Sequence, residues 1–153
     1  MASVEESVEV RAPIDAVFTQ VTDPRRVPEW NTAVIEVHDV EYPIRVGSAW
    51  AQTISVLGRP ANVTCTVTQF EPPRFGEILV AGDQQARLWT RCDSGPSGTR
   101  LTQGVEFEPP GGRIRAIVGK AVTSRIRHEL RATMARQRET LEREAGETNG
   151  SGA

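Results

Sequence analysis

The stretch VEVRAPIDAVFTQVTDPRRVPEWN, residues 8–31, changes its period twice. Val8 and Val10 continue the parity of Val4, with Glu6 interrupting it, so the chain opens as a strand. "RAP" turns it. Pro13 suits a first helical position, and Ile14, Val17, Phe18 and Val21 recur at helical spacing. Thr22–Asp23 ends that helix. Asp23 caps a second, short one with Pro24 at its first position, and Pro28 stops it. A lone tryptophan, Trp30, closes the segment.

After residue 33 the period becomes two. Segments 33–42, 48–57, 61–70, 75–82, 85–92 and 99–108 read as strands rich in Thr, Val, Ile and Trp. The pieces between them, "PIRVG", "GRP", "EPPR", "GD" and "DSGPSG", carry turn chemistry close enough together for an antiparallel meander. "PPGG" (109–112) breaks the sheet. Residues 113–144 read as one long helix whose apolar ladder, Ile114, Val118, Val122, Ile126, Leu130 and Met134, advances ~40° per step and so winds around the helix axis. A winding stripe fits a helix laid obliquely on a curved sheet and does not fit a coiled-coil seam. The expected class is α+β: one curved antiparallel sheet of about seven strands wrapped around a long C-terminal helix, in the order β-α-α-β-β-β-β-β-β-α. A single domain over 1–144 and a disordered tail over 145–153 are expected.

Composition narrows the function classes. The chain has 153 residues and a net charge of −2, a length for one domain and a balance that argues against nucleic-acid binding. Cys65 and Cys92 make no disulfide framework and read as reduced structural residues. No apolar run approaches a membrane span, and the acidic, alternating N-terminus has neither signal-peptide nor transit-peptide character, so a cytoplasmic location is expected. Between 113 and 144 the helix carries nine bases and four acids. Its apolar stripe is needed for the core, so a solvated basic face is expected in preference to membrane contact. The sequence has no phosphate-binding glycine loop, no G-x-S-x-G and no His/Cys set at metal-ligand spacing, so neither metal nor cofactor is expected.

In this order, VEVRAPIDAVFTQVTDPRRVPEWN, VGSAWAQTISVLGRPANVTCTVTQFEPPR, SGTRLTQGVEF and HELRATMARQRETLE resemble the START-like, helix-grip proteins. More narrowly they resemble the polyketide cyclase/dehydrase branch of the SRPBCC superfamily. The resemblance covers nearly the whole chain up to Glu144 and implies a fold and a cavity, since that family shares no universal catalytic residue. It implies that the two short helices form a V at one end of the sheet and that the long helix lies over the concave face. Trp30 then either anchors the V to the core, contacts a ligand, or does both.

The parity of the strands supplies the expected lining: Trp50, Gln52 and Ile54; Cys65 and Val67; Leu88 and Thr90; Gln103, Val105 and Phe107. Val118, Ala121, Val122 and Arg125 join them from the helix. Parity also puts Trp89 outward between Arg87 and Arg91, while a bulge in that strand would turn it inward. Such a wall, apolar with a few polar groups, is what small-molecule sites have in common. The first expectation is a binder of a hydrophobic small molecule (lipid, isoprenoid or aromatic polyketide-like), as monomer or homodimer. A cyclase or dehydratase is the rival, with Arg125 polarising a carbonyl and His128 moving protons. A protein-interaction module is the third reading.

Overall fold

The computed structural model describes residues 2–56, 58–108 and 115–151. Strand β1 (Ala2–Val10) leads into helix α1 (Ile14–Val21), a 3-10 turn (Pro24–Arg26) and the one-turn helix α2 (Val27–Trp30). Six strands follow: β2 (Val34–His38), β3 (Ala49–Val56), β4 (Arg59–Glu71), β5 (Phe75–Gly82), β6 (Ala86–Gly95) and β7 (Gly98–Phe107). Helix α3 (Arg115–Ser151) ends the chain. All seven strands form one antiparallel sheet in the order β1-β7-β6-β5-β4-β3-β2, the α+β architecture read from the sequence.

The V between β1 and β2 is locally determined. Thr22 ends α1 by donating its hydroxyl to the Phe18 carbonyl (2.6 Å). Asp23 accepts from the Arg25 backbone N–H (3.0 Å), the expected cap, and from the Arg25 guanidinium (2.8 and 2.9 Å). Pro28 does not stop the segment as expected. It sits within the first turn of α2, where its missing N–H would have had no partner anyway. Arg26 then ties three elements together, donating to Gln20 of α1 (2.6 Å), Glu29 of α2 (2.7 Å) and Glu144 of α3 (2.9 Å).

The sheet bends where its register slips. Val67 pairs with Ile78, but Gln69 pairs with Glu77, so Thr68 is an extra residue in β4. The bulge inverts the facing beyond it, and Phe70 turns inward to meet Phe18 with ring centroids 5.6 Å apart. Gly76, opposite Phe70, has ring atoms of both phenylalanines just beyond its Cα, at 3.7–3.8 Å from where a Cβ would stand.

Helix α3 packs chiefly along β1, and also against α1 and α2. Its oblique crossing is therefore displaced to one side of the sheet. Glu6, the residue that interrupts the valine face of β1, explains the displacement: its carboxylate binds Arg127 (2.6 Å) and Arg131 (3.2 Å) of α3. The helix also runs to Ser151, past Glu144 where the sequence suggests a tail. The predicted break at 109–112 lies outside the described residues. Among the described residues no helix is long and apolar enough to cross a membrane.

Candidate functional site

Two apolar clusters fill the concave side. One joins Val10, Val17, Phe18, Val21, Cys92 and Leu101 to Met134 and Leu141 of α3. The other gathers Ile44, Trp50, Val63, Cys65 and Val67 on β3, β4 and the loop before them. A cavity of about 190 Å³ lies among the V, the inner face of β3–β7 and the Leu130–Gln137 stretch of α3. For scale, an apolar cavity of ~150 Å³ admits benzene.

Eight of the residues expected to line a cavity do so: Trp30, Trp50, Gln52, Cys65, Val67, Leu88, Thr90 and Gln103. Of those expected on α3, Ala121, Val122 and Arg125 do not, and Gln137 stands in their place. Trp30 is 1% exposed, and its backbone carbonyl accepts from Arg136 of α3 (3.0 Å). Its ring lies 5.0 Å from the Arg26 guanidinium. It thus anchors the V and faces the cavity at once. Trp50 is also buried, and its indole N–H donates to Gln52 Oε1 (2.9 Å). An indole can only donate, so this bond fixes which way the Gln52 amide points and leaves its amino group as the end available to the cavity. Gln103 Nε2 meets the Thr90 hydroxyl at 3.2 Å.

Other expected positions fall elsewhere. Ile54 packs against the Trp50 cluster without reaching the cavity, and Val105 and Phe107 lie on the inner face beyond it. Ala121 is exposed and Val122 half-buried; neither lines the cavity, and the Val118 side chain lies outside the described set. Arg125 is exposed and pairs with Glu129 one turn on (3.3 Å). His128 is exposed as well, and neither it nor Arg125 is in the wall. The reason is the displacement of α3 toward β1: the face that meets the cavity is Leu130, Thr133 and Gln137, further along the helix than the expected stretch from Val118 to Arg125. His38, on edge strand β2, is exposed and lies 3.4 Å from Glu36.

Phe70, Ile78, Thr133 and Gln137 are lining residues that strand parity and the apolar ladder did not reveal. Phe70 depends on the bulge at Thr68, which no turn residue announces. Gln137 was findable: Met134, Gln137 and Leu141 sit at three- and four-residue spacing and are all buried, so the stripe carries an amide where an apolar residue would ordinarily stand. Its Oε1 is buried without a hydrogen-bond partner in the protein.

The wall is electrostatically quiet. Cys65 and Glu77 are its titratable members among the described residues. Burial pushes the Cys65 thiol up to about 12, so it stays protonated. For Glu77, burial acts to raise the carboxyl, but hydrogen bonds from Thr68 and Arg87 outweigh it and hold it below its usual value. That carboxylate is engaged on the outer face, where Arg87 also lies over the Trp89 ring at 4.6 Å. Residues 89 and 104 border the cavity, but the Trp89 side chain faces outward as its parity suggests: its indole donates to Glu5 of β1 (2.7 Å), and its ring occupies the space a Cβ at Gly104 would need. Only glycine fits there.

A larger groove, about 490 Å³, runs between β1 and α3. It is crossed by the Glu6–Arg131 and Arg138–Glu142 ion pairs, so most of its charges are already engaged with one another. The smaller, apolar cavity is the better candidate because its polar groups are not all spoken for. Among the described residues there is no cluster of three or more His, Cys, Asp or Glu side chains able to hold a metal ion.

Comparison with known proteins places this geometry. TTHA0849 of Thermus thermophilus superposes with a TM-score of 0.76 at 12% identity, over 92% of this chain and 97% of its own. The di-domain ARO/CYC StfQ of the steffimycin biosynthetic pathway gives 0.75 at 11% identity, over 94% of this chain and 51% of its own. Such identities show the shared fold alone. The uncharacterized proteins MT0096 and Rv0088 of Mycobacterium tuberculosis are each 29% identical over 110 residues, 71% of this chain. The chain spans about half the length of those two relatives, 49%. Residues 1–142 match the family described as polyketide cyclase / dehydrase and lipid transport, and the chain belongs to that family.

Proposed function

We propose that the protein binds a neutral, ring-bearing hydrophobic molecule in the cavity beneath the V, acting as a carrier or binding protein. The observation that carries this reading is the make-up of the wall. Two tryptophans, Phe70, Val67, Ile78 and Leu88 supply apolar surface, and amides and hydroxyls supply the polar contacts. Flat aromatic side chains favour flat ligands, because stacked or edge-on rings add to what area burial alone contributes. At about 190 Å³ the cavity suits a molecule of one or two rings better than a long acyl chain.

Family membership also supports a cyclase-type reading, in which the wall folds a reactive chain and so lowers the barrier by orientation. Arg125 and His128 do not favour it, since both are exposed on α3 away from the wall. Proton transfer needs a group within hydrogen-bond reach of the substrate. The binding reading needs only the wall.

Tryptophan emission tests it. 1-Nitronaphthalene, neutral and non-emissive, should quench saturably with one site per chain, and Trp30→Phe should remove a large share of the quenching. Quenching that rises linearly without saturation, equal in wild type and variant, would reject the cavity as a binding site.

A further inference from the structure

We infer that the cavity selects ligands bearing a neutral hydroxyl group, read by the Gln137 carbonyl and the Gln52 amino group, and discriminates against carboxylates. The inference rests on the binding reading above and adds the polar chemistry of the ligand.

Gln137 is 2% exposed, and its Oε1 accepts no hydrogen bond within the protein. Leaving a buried acceptor unpaired is costly, and a ligand that supplies a donor recovers that cost on binding. Gln52 offers the complement. The Trp50 indole occupies its Oε1, so the free end of that amide is a donor. Both residues line the same cavity, and a half-turn of the Gln137 amide about its last side-chain bond brings the closed-off oxygen round to it. One acceptor and one donor match a hydroxyl, which donates one hydrogen bond and accepts others. An ether or ketone could satisfy Gln52 and would leave Gln137 unpaired.

Charge decides against acids. Among the described residues the lining includes no Arg, Lys or His, and the arginines near the V are engaged elsewhere: Arg25 with Asp23, Arg26 with Glu29 and Glu144, and Arg136 with the Trp30 carbonyl. A carboxylate entering this wall would lose its hydration without gaining a counter-ion. It would also set its oxygens against the unpaired Gln137 oxygen.

Calorimetric titration of the full chain with three matched probes, 2-naphthol, naphthalene and 2-naphthoate, tests this. 2-Naphthol should bind about fivefold to tenfold tighter than naphthalene, the discrimination that one satisfied buried hydrogen bond carries. 2-Naphthoate should bind more weakly than either at neutral pH. Gln137→Met, which keeps the side-chain length and removes the acceptor, should erase the preference for 2-naphthol over naphthalene. Should that variant fail to fold, the wild-type ranking alone still decides. Equal affinity for 2-naphthol and naphthalene, or tighter binding of 2-naphthoate, overturns the hydroxyl assignment and leaves the cavity reading standing. Binding of none of the three overturns both.

Discussion

The two cysteines mark two halves of one sheet that follow the same alternating pattern and end differently. Cys92 on β6 is fully buried against Leu101, Phe18 and the Met134 and Leu141 side chains of α3. Cys65 on β4 is equally buried beside Trp50 and Val67, yet it borders a cavity. Burial pushes both thiols up to about 12, with Asp93 adding to the effect at Cys92. The strands therefore do not decide whether a core is filled. What lies opposite decides it. Across from Cys92 stand α1 and the second half of α3; across from Cys65 stand the V, Trp30 and an amide of α3 whose oxygen has no partner.

The largest effects should separate the halves directly. Leu101→Ala removes a fully buried side chain from the packed cluster and should cost ~2–5 kcal/mol in denaturant unfolding. Trp50→Ala removes more atoms, and in a filled core it would cost ~3–5 kcal/mol. Beside an existing cavity it forfeits fewer contacts, so a cost below ~3 kcal/mol is expected. A loss at Trp50 equal to or greater than that at Leu101 would erase the distinction between the two regions.

The sequence revealed the packed half better than the open one, for a physical reason. Helical spacing in α1 and alternation in β1, β6 and β7 encode burial directly, and those elements appeared within a few residues of their expected bounds. The inner faces of β3 and β4 up to Val67 were legible for the same cause, as were Trp30 and the cap at Asp23. The bulge at Thr68 was not, because an extra strand residue leaves no mark on composition, and Phe70 was lost with it. The position of α3 was also hidden. It depends on Glu6 of β1 binding Arg127 and Arg131, a pairing across more than a hundred residues that a helical ladder cannot specify. Expecting the helix to meet the cavity along its first turns led to Val118, Ala121, Val122 and Arg125 in place of Leu130, Thr133 and Gln137.

That ion pair gives the smallest effect. Hydrogen bonds from Arg127 and then Arg131 hold the Glu6 carboxyl below its usual value near 4.5. A carboxyl lowered in the folded state adds stability above its unfolded value, and the contribution is lost as pH falls through the folded one. Glu6→Gln should therefore lower stability at pH 7 by less than ~1 kcal/mol and converge on wild type as pH falls through the folded value. A difference that persists undiminished in acid would mean that Glu6 holds α3 by packing and not by charge.

The central claim, a ligand cavity walled by Trp30 and Trp50 under a sheet whose third tryptophan faces away, is tested most directly by the three indole N–H resonances. Titration of the ¹⁵N-labelled protein with 2-naphthol should move the Trp30 and Trp50 signals along one saturable curve. Trp89, hydrogen-bonded to Glu5 on the outer face, should stay in place. If Trp30 and Trp50 remain fixed, or if Trp89 alone responds, the ligand does not enter this cavity and the account is wrong.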